Sequence, residues 1–206
     1  MKSLFKSIGI LNLLFIASSC NESGNTVINQ PSQDSLIENN KVDVNDAELL
    51  PFSKITRAQK NVYEIDSIRI ESYTFENLEP FLHQEDDYTY VVNFWATWCG
   101  PCVKEIPYFE QLHENYSDKN VHVLLVSIDF AKAVETSLVP FLKKEKLKSE
   151  VVLLDDADAN SWIPKVDENW SGAIPATIIY NQSNRAFFEK SFTYEELQSE
   201  LMKIMN

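Results

Sequence analysis

The stretch that decides the fold runs from residue 90 to residue 107 and reads YVVNFWATWCGPCVKEIP. It begins with an apolar run, Tyr90 to Trp95, that is typical of a buried central β-strand. Apolar residues then recur at helical spacing after the cysteines, at Ile106, Phe109, Leu112 and Tyr116. The stretch therefore predicts a strand, a short loop, and a helix from Cys99 to Tyr116.

The chemistry of this stretch depends on Cys99 and Cys102, which share one face of a helical turn and are close enough to form a disulfide. Unpaired N–H groups and the positive end of the helix dipole stabilise a thiolate at a helix N-terminus. Cys99 is therefore the predicted nucleophile. Cys102, one turn deeper, is the predicted resolving thiol that attacks a mixed disulfide. Such an exchange needs no cofactor.

Two metal-binding alternatives use the same pair of cysteines. A zinc site needs four ligands, and the sequence has no second cysteine pair, while His83, His113 and His122 are scattered. A binding module or metallochaperone that holds copper between the two thiolates stays open, because soft thiolates select Cu(I). Peroxidase chemistry is disfavoured, since nothing in the sequence resembles the threonine-and-cysteine motif of peroxiredoxins. No metal site is predicted.

The chain from Asn61 onward alternates between β-like runs and helical periodicity. The other predicted strands are Ile68 to Tyr73, Val121 to Asp129, Val151 to Leu154, Ala176 to Tyr180 and Arg185 to Glu189. The other predicted helices are Phe75 to Leu82, Ser137 to Leu147 and a last helix that Thr193 and Glu196 cap. This order predicts an α/β fold with a central mixed β-sheet flanked by helices.

The segment from Val91 to Pro107 resembles the active-site region of the TlpA and ResA group, the extracytoplasmic members of the thioredoxin superfamily. The resemblance extends over about residues 61–206 and implies a thioredoxin-like fold. A helix and strand between Ser127 and Val151 resemble the group's central insertion. The resemblance also implies an oxidoreductase that reduces disulfides in client proteins, with apocytochrome c as the best-known client type, and that takes electrons from a membrane thiol-disulfide donor.

Several supporting residues follow from the resemblance. Trp98, Gly100 and Pro101 complete the motif around the cysteines, and Gly-Pro is the dipeptide of reducing thioredoxins. The bond between Ile174 and Pro175 matches the family's cis-proline opposite the disulfide. The alternative is a trans proline that starts a strand, where a missing N–H is harmless.

Three further positions, on the predicted strand before the cysteines and the predicted helix after them, can be compared with the pattern of the family. Glu105 corresponds to an acidic residue that influences the titration of the cysteines in ResA-like proteins, and its alternative is a solvent-facing glutamate. Asn93 stands where cytoplasmic thioredoxins carry a buried aspartate, which leaves the proton acceptor for Cys102 open. Pro107 resembles the proline that kinks the active-site helix.

The first nineteen residues are predicted to be a lipoprotein-type signal peptide, with Lys2 and Lys6 ahead of an apolar stretch and small residues before Cys20. Cleavage there would make Cys20 the site of lipidation and the contact with the lipid bilayer. An ordinary secretory cleavage that leaves a free thiol is the alternative. Residues 20–60 are rich in polar side chains and are predicted to be a flexible tether. Residues 61–206 form the predicted thioredoxin-like domain of a bacterial cell-envelope protein.

Composition bounds the remaining possibilities. The chain has 206 residues, of which 44% are hydrophobic, which is enough for a core, and a formal net charge of −13. An acidic excess argues against nucleic acid as a partner, because phosphate binding needs clustered lysine and arginine.

A run of acidic side chains from Asp155 to Asn160 resembles the start of a calcium-binding loop. Ser161 stands where such a loop needs glycine, and Asp167 where it needs glutamate. A capped loop between a strand and a helix is the favoured interpretation. Trp162 and Trp170 are predicted to be packing residues.

Overall fold

The computed structural model describes residues 58–206. The predicted signal peptide, Cys20 and nearly all of the predicted tether lie outside the described residues. Seven strands are present in this part of the chain: β1 (Asn61–Ile65), β2 (Ile68–Tyr73), β3 (Thr89–Trp95), β4 (Val121–Ser127), β5 (Glu150–Leu154), β6 (Ala176–Tyr180) and β7 (Arg185–Phe188). The α-helices of the same part are α1 (Phe75–Leu78), α2 (Gly100–Tyr116), α3 (Val139–Glu145), α4 (Ala159–Val166) and α5 (Tyr194–Met205).

The strands form one mixed sheet in the order β1-β2-β5-β4-β3-β6-β7. The pairs β2–β5, β5–β4 and β4–β3 are parallel, and the pairs β1–β2, β3–β6 and β6–β7 are antiparallel. The predicted extra helix and strand are present as α3 and β5, and β5 lies between β2 and β4. The predicted thioredoxin-like α/β fold is confirmed.

Two apolar layers cover the two faces of the sheet. On one face, α2, α3 and α5 contribute Phe109, Leu142 and Leu201 to a core that includes Trp95. On the other face, α1 and α4 contribute Phe75 and Trp162 to a second core. Because β3 and β4 are buried along their whole length, their sequences are continuous apolar runs rather than alternating ones. The central strands are therefore the parts of the fold that the sequence indicates most clearly.

Several predicted boundaries were wrong for local reasons. The helix predicted from Phe75 to Leu82 ends at Leu78 and continues as a 3₁₀ turn, Glu79–Leu82, with proline near its start. The helix predicted from Ser137 to Leu147 is shorter at both ends. A π-helical turn, Val134–Leu138, precedes it, and Lys146 closes it in a left-handed conformation with φ of 54°.

Strand β1 was missed because it is an edge strand with no fully buried residue and therefore no buried alternating face. Its turn to β2 is made by Asp66 and Ser67, which both have positive φ angles. Such turns most often carry Asn-Gly or Asp-Gly, so Asp-Ser is a weak hairpin signal. The capping box of the last helix is confirmed, because Thr193 accepts the N–H of Glu196 while the Glu196 carboxylate accepts the N–H of Thr193.

Candidate active site

The two cysteines lie at the point where β3 ends and α2 begins. Cys99 is the N-cap residue of α2, and its Sγ accepts the backbone N–H of Cys102 at 3.2 Å. The two residues form a disulfide with a Cα–Cα distance of 5.3 Å. Cys99 is 6% exposed and Cys102 is fully buried. A sulfur from outside can therefore reach only Cys99 without displacing the helix.

The loop before β6 faces the disulfide. The peptide bond between Ile174 and Pro175 is cis, which confirms the prediction and makes the trans alternative wrong. The carbonyl oxygen of Ile174 lies 3.7 Å from Sγ of Cys99. In the reduced protein this oxygen is therefore positioned to accept a hydrogen bond from the Cys99 thiol.

A carboxylate that the sequence analysis did not identify holds this loop. Glu189 accepts the N–H groups of Ser171 and Ala173, each at 3.1 Å, and also the Ser171 hydroxyl. These bonds lower the pKa of Glu189, with the Ser171 hydroxyl as the largest cause. Strand β7 therefore ends one residue earlier than predicted, because Glu189 turns away to the loop.

A second missed carboxylate, Asp129, holds the loop that leads into the cysteines. It is buried and accepts the backbone N–H of Thr97 at 3.0 Å, the Thr97 hydroxyl at 2.6 Å and the Ser127 hydroxyl at 2.8 Å. Strand β4 ends at Ser127 rather than at Asp129 for this reason. Because β3 and β4 are parallel neighbours, the loops after them meet at one edge of the sheet.

Glu105 lies one helical turn beyond Cys102 and is buried, so the solvent-facing alternative is wrong. Its carboxylate accepts three hydrogen bonds: from Nδ2 of Asn93 at 3.1 Å, from the backbone N–H of Phe192 at 2.7 Å and from the Ser191 hydroxyl at 3.1 Å. Burial raises the pKa of Glu105 above its ordinary value, although these three hydrogen bonds act in the opposite direction. Asn93 is also fully buried and donates to Thr177 at 3.1 Å.

The other predicted motif residues line the entrance to the site. Trp98 is 60% exposed, and the Pro101 carbonyl accepts the Ser191 hydroxyl at 3.4 Å. Gly100 begins α2, and a Cβ there would meet no atom within 4 Å, so the structure shows no steric need for glycine. Pro107 lies inside α2, which continues through it to Tyr116.

The remaining candidates have structural contacts of their own. The Asp156 carboxylate accepts the N–H groups of Phe75 and Asp158, as expected for a capped loop. Trp162 and Trp170 are buried, with ring centroids 5.7 Å apart, so they are packing residues as predicted.

Metal clusters, membrane-spanning helices and cavities were the other features sought in residues 58–206. This range holds no group of three or more potential metal-binding side chains, and no helix in it is long and apolar enough to cross a membrane. A cavity of about 710 Å³ between the β1–β2 hairpin and α3 contains neither cysteine.

Several thiol-disulfide oxidoreductases match part of the chain. The thiol-disulfide oxidoreductase ResA of a Bacillus cereus strain is 31% identical over 117 residues, which cover 55% of this chain and 61% of the relative. The ResA of Bacillus thuringiensis subsp. konkukian is 36% identical over 62 residues, which cover 30% of this chain and 34% of the relative. The matches therefore span less than two thirds of the length of these relatives.

Solved structures match the fold at low sequence identity. A secreted thiol-disulfide isomerase from Corynebacterium glutamicum has a TM-score of 0.52 at 16% identity, over 73% of this chain and 84% of the other. A thioredoxin family thiol:disulfide interchange protein from Chlorobium tepidum TLS has a TM-score of 0.51 at 16% identity, over 73% of this chain and 97% of the other. The AhpC/TSA family model matches residues 79–185, which is more than half of the chain. This chain therefore belongs to the AhpC/TSA family, within the thioredoxin superfamily.

Proposed function

We propose that this protein is a thiol-disulfide oxidoreductase that reduces disulfides in client proteins outside the cytoplasm. The observation that carries the proposal is the unequal exposure of the two cysteines: Cys99 is 6% exposed at the start of α2, and Cys102 is fully buried behind it. An exchange enzyme needs one sulfur that a client can reach and one that a client cannot reach. The relatives named as thiol-disulfide oxidoreductases support the same activity.

The reaction transfers two electrons from the enzyme dithiol to the client disulfide. The Cys99 thiolate attacks one client sulfur, a bond forms between them, the client disulfide breaks, and the released client sulfur takes up a proton. The Cys102 thiol then loses its proton and attacks the Cys99 sulfur. This second attack releases the other client sulfur as a thiol and closes the bond between Cys99 and Cys102.

Two features of α2 favour Cys99 as the attacking thiolate. The N–H of Cys102 donates to its sulfur, and the positive end of the dipole of a 17-residue helix points at it. Both interactions stabilise negative charge on sulfur and not the neutral thiol. The carbonyl oxygen of Ile174 lies 3.7 Å from the Cys99 sulfur, so a client bound to Cys99 would approach a sulfur that already faces this loop.

The reducing direction requires a donor of electrons, which we assign to a membrane thiol-disulfide exchange protein. The proposed client is apocytochrome c, the client type that the resemblance to ResA-like proteins implies. The Gly100-Pro101 dipeptide supports reduction, because thioredoxin with the same dipeptide has a potential of about −270 mV.

Reduction of insulin and of oxidised apocytochrome c by the reduced full-length chain tests the activity. Wild type and Cys20→Ser are expected to reduce both, Cys99→Ser to reduce neither, and Cys102→Ser to stop after one mixed disulfide. Equilibration with a redox buffer tests the direction. A potential near that of thioredoxin supports reduction, and a potential near about −120 mV, as in DsbA, contradicts it. Stoichiometric Cu(I) binding without disulfide reduction would favour the copper alternative.

The proposed location is the bacterial cell envelope, with lipid on Cys20 and residues 20–60 as the tether. Metabolic labelling with a tagged fatty acid tests it. The label is expected on the wild-type chain and not on Cys20→Ser, and label on neither protein would contradict the anchor.

A further inference from the structure

Strand β1 begins at the edge of the sheet from which the disulfide loop leaves. A row of Cα partners crosses the sheet from the first residue of β1 to the last residue of β3: Asn61, Ser72, Leu153, Ser127 and Trp95. The row spans four strand spacings of about 4.8 Å, or about 19 Å in all. Cys99 follows shortly after Trp95 in the chain. This edge, where the parallel strands end, is the disulfide edge.

Contacts of Lys60 fix the chain at the disulfide edge. Its backbone N–H donates to the carbonyl oxygen of Ser72 at 2.7 Å. Its ammonium group donates to the carbonyl oxygen of Asp155 at 2.8 Å and lies 2.9 Å from the Asp155 carboxylate. Asp155 directly follows β5, and its own N–H donates to the carbonyl oxygen of Tyr73 at the end of β2. Whatever precedes Lys60 is therefore attached to the domain at the disulfide edge.

The last helix ends at the opposite edge of the sheet. Strand β6 is antiparallel to β3, with Tyr180 opposite Tyr90 near the start of β3. Asn181 follows Tyr180, and its Nδ2 donates to the carbonyl oxygen of Ile204 at 2.8 Å. The rise along β3 from Tyr90 to Trp95 is about 17 Å. The end of α5 and the start of β1 are therefore separated by about one strand length along the strand direction.

We propose that the anchored protein presents its disulfide edge to the bilayer, and that its exchange partner is a membrane-embedded protein whose cysteine pair lies at the bilayer surface. The inference rests on the proposed function and location, because it needs disulfide exchange and an attachment that precedes residue 58. The chemistry is the exchange described above, in which Cys99 is the sulfur that a partner reaches. The inference adds the depth at which the partner holds its sulfurs.

The point of attachment matters because it decides how much of the tether's length is available to bring Cys99 to the bilayer. A flexible tether of the proposed length reaches about 35 Å on average. If the tether were attached at the opposite edge, about 17 Å of this reach would be needed to span the sheet. The effective concentration of two linked groups falls steeply when the linker does not span the distance between them. Attachment at the disulfide edge therefore favours exchange at the bilayer surface.

Exchange on vesicles tests the inference. The probe is a membrane-spanning peptide with a disulfide-bonded cysteine pair at the surface of phosphatidylcholine vesicles, and oxidised glutathione is the reference disulfide in solution. The proteins are the lipidated full-length chain and a rear-anchored control. The control carries Cys20→Ser, with the same tether sequence and a lipidated cysteine added after Asn206. The measured quantity is the exchange rate with the peptide divided by the exchange rate with glutathione.

The ratio for the wild type is expected to exceed that of the rear-anchored control about fivefold, with equal rates on glutathione. Equal ratios, or a larger ratio for the control, overturn the inference alone. A wild type that binds the vesicles and exchanges with neither disulfide contradicts the proposed function. A wild type that does not bind the vesicles contradicts the proposed anchor, and in both of these cases the inference falls as well.

Nuclear magnetic resonance measures the orientation without any reaction. A gadolinium chelate on the lipid headgroups increases the relaxation rate of nearby amide protons. The increase is expected to be larger at Ile174, whose carbonyl oxygen faces Cys99, than at Ser183, which lies in the turn between β6 and β7. The order is expected to reverse in the rear-anchored control. An equal or larger increase at Ser183 in the wild type overturns the inference.

Discussion

Nδ2 of Asn93 donates a hydrogen bond of 3.1 Å to Oε1 of Glu105. The bond joins the strand that leads to the disulfide with the helix that begins there, and both residues are buried. Glu105 is also joined to the loop before α5 through Phe192. A single buried carboxylate therefore connects three elements behind Cys102, and we expect its charge state to affect both the thiols and the stability of the fold.

The first prediction concerns the thiols. Substitution Glu105→Gln removes a buried negative charge one turn from Cys102, and a nearby negative charge disfavours a thiolate. The thiol pKa of Cys102 is expected to fall in the reduced variant. Ultraviolet absorbance of the thiolates as a function of pH measures it. Glu114→Gln, an exposed change of the same type on the same helix, is the control, and equal titrations for the two variants would contradict the account.

The second prediction concerns stability and pH. Burial raises the pKa of Glu105 above its ordinary value of 4.5, so the folded protein holds this proton more tightly than the unfolded chain does. This bound proton stabilises the folded state at pH values below the ordinary pKa. The stabilisation is lost as the pH rises through the raised pKa of the folded state. The free energy of unfolding of wild type relative to Glu105→Gln should therefore decrease over this interval. Urea denaturation at a series of pH values measures it, and a difference that increases with pH would refute it.

The third prediction concerns the Asp129 carboxylate. Substitution Asp129→Ala leaves the N–H and hydroxyl of Thr97 and the hydroxyl of Ser127 without their acceptor. A cost of about 2–4 kcal/mol is expected, because each unsatisfied buried polar group costs about 1–3 kcal/mol. Urea denaturation measures the loss. The exposed control Asp118→Ala should stay within about 0.5 kcal/mol of wild type. A similar small effect for Asp129→Ala would show that the hydrogen bonds to Thr97 and Ser127 are dispensable for stability.

The fourth prediction concerns the loop before the cis-proline. Substitution Glu189→Ala removes the acceptor of the Ser171 and Ala173 N–H groups, so faster hydrogen exchange is expected at these two amides. The control is Glu195→Ala, an exposed change on α5. The pKa of Glu189 is lowered, so wild-type protection should hold above its ordinary pKa and decline as the pH falls through the lowered value. Protection factors that are equal in the two variants would argue against this role.

The central part of the fold and the cysteine pair could be predicted from sequence because their signals are local. An apolar run marks β3, and the pair Thr193 and Glu196 marks the start of α5. The cis bond at Pro175 could not come from composition, since only about 5% of bonds before proline are cis. It came from the resemblance of the surrounding motif.

Asp129 and Glu189 could not be identified from local patterns. Asp129 lies 32 positions from Thr97 and Glu189 lies 18 from Ser171, so each contact exists only because of the sheet order. One signal was available for Asp129, because polar residues at the carboxyl ends of adjacent parallel strands meet at one edge.

The most direct test of the account is a map of the bond formed when reduced Cys102→Ser meets a disulfide-bonded client. Mass spectrometry of the digested complex is expected to find the client cysteine joined to Cys99. The matched variant Cys99→Ser is expected to give no client bond at Cys102, because Cys102 is fully buried. A client bond to Cys102 in Cys99→Ser at the same rate, or no bond to Cys99 in Cys102→Ser, would contradict the central claim that Cys99 is the attacking sulfur.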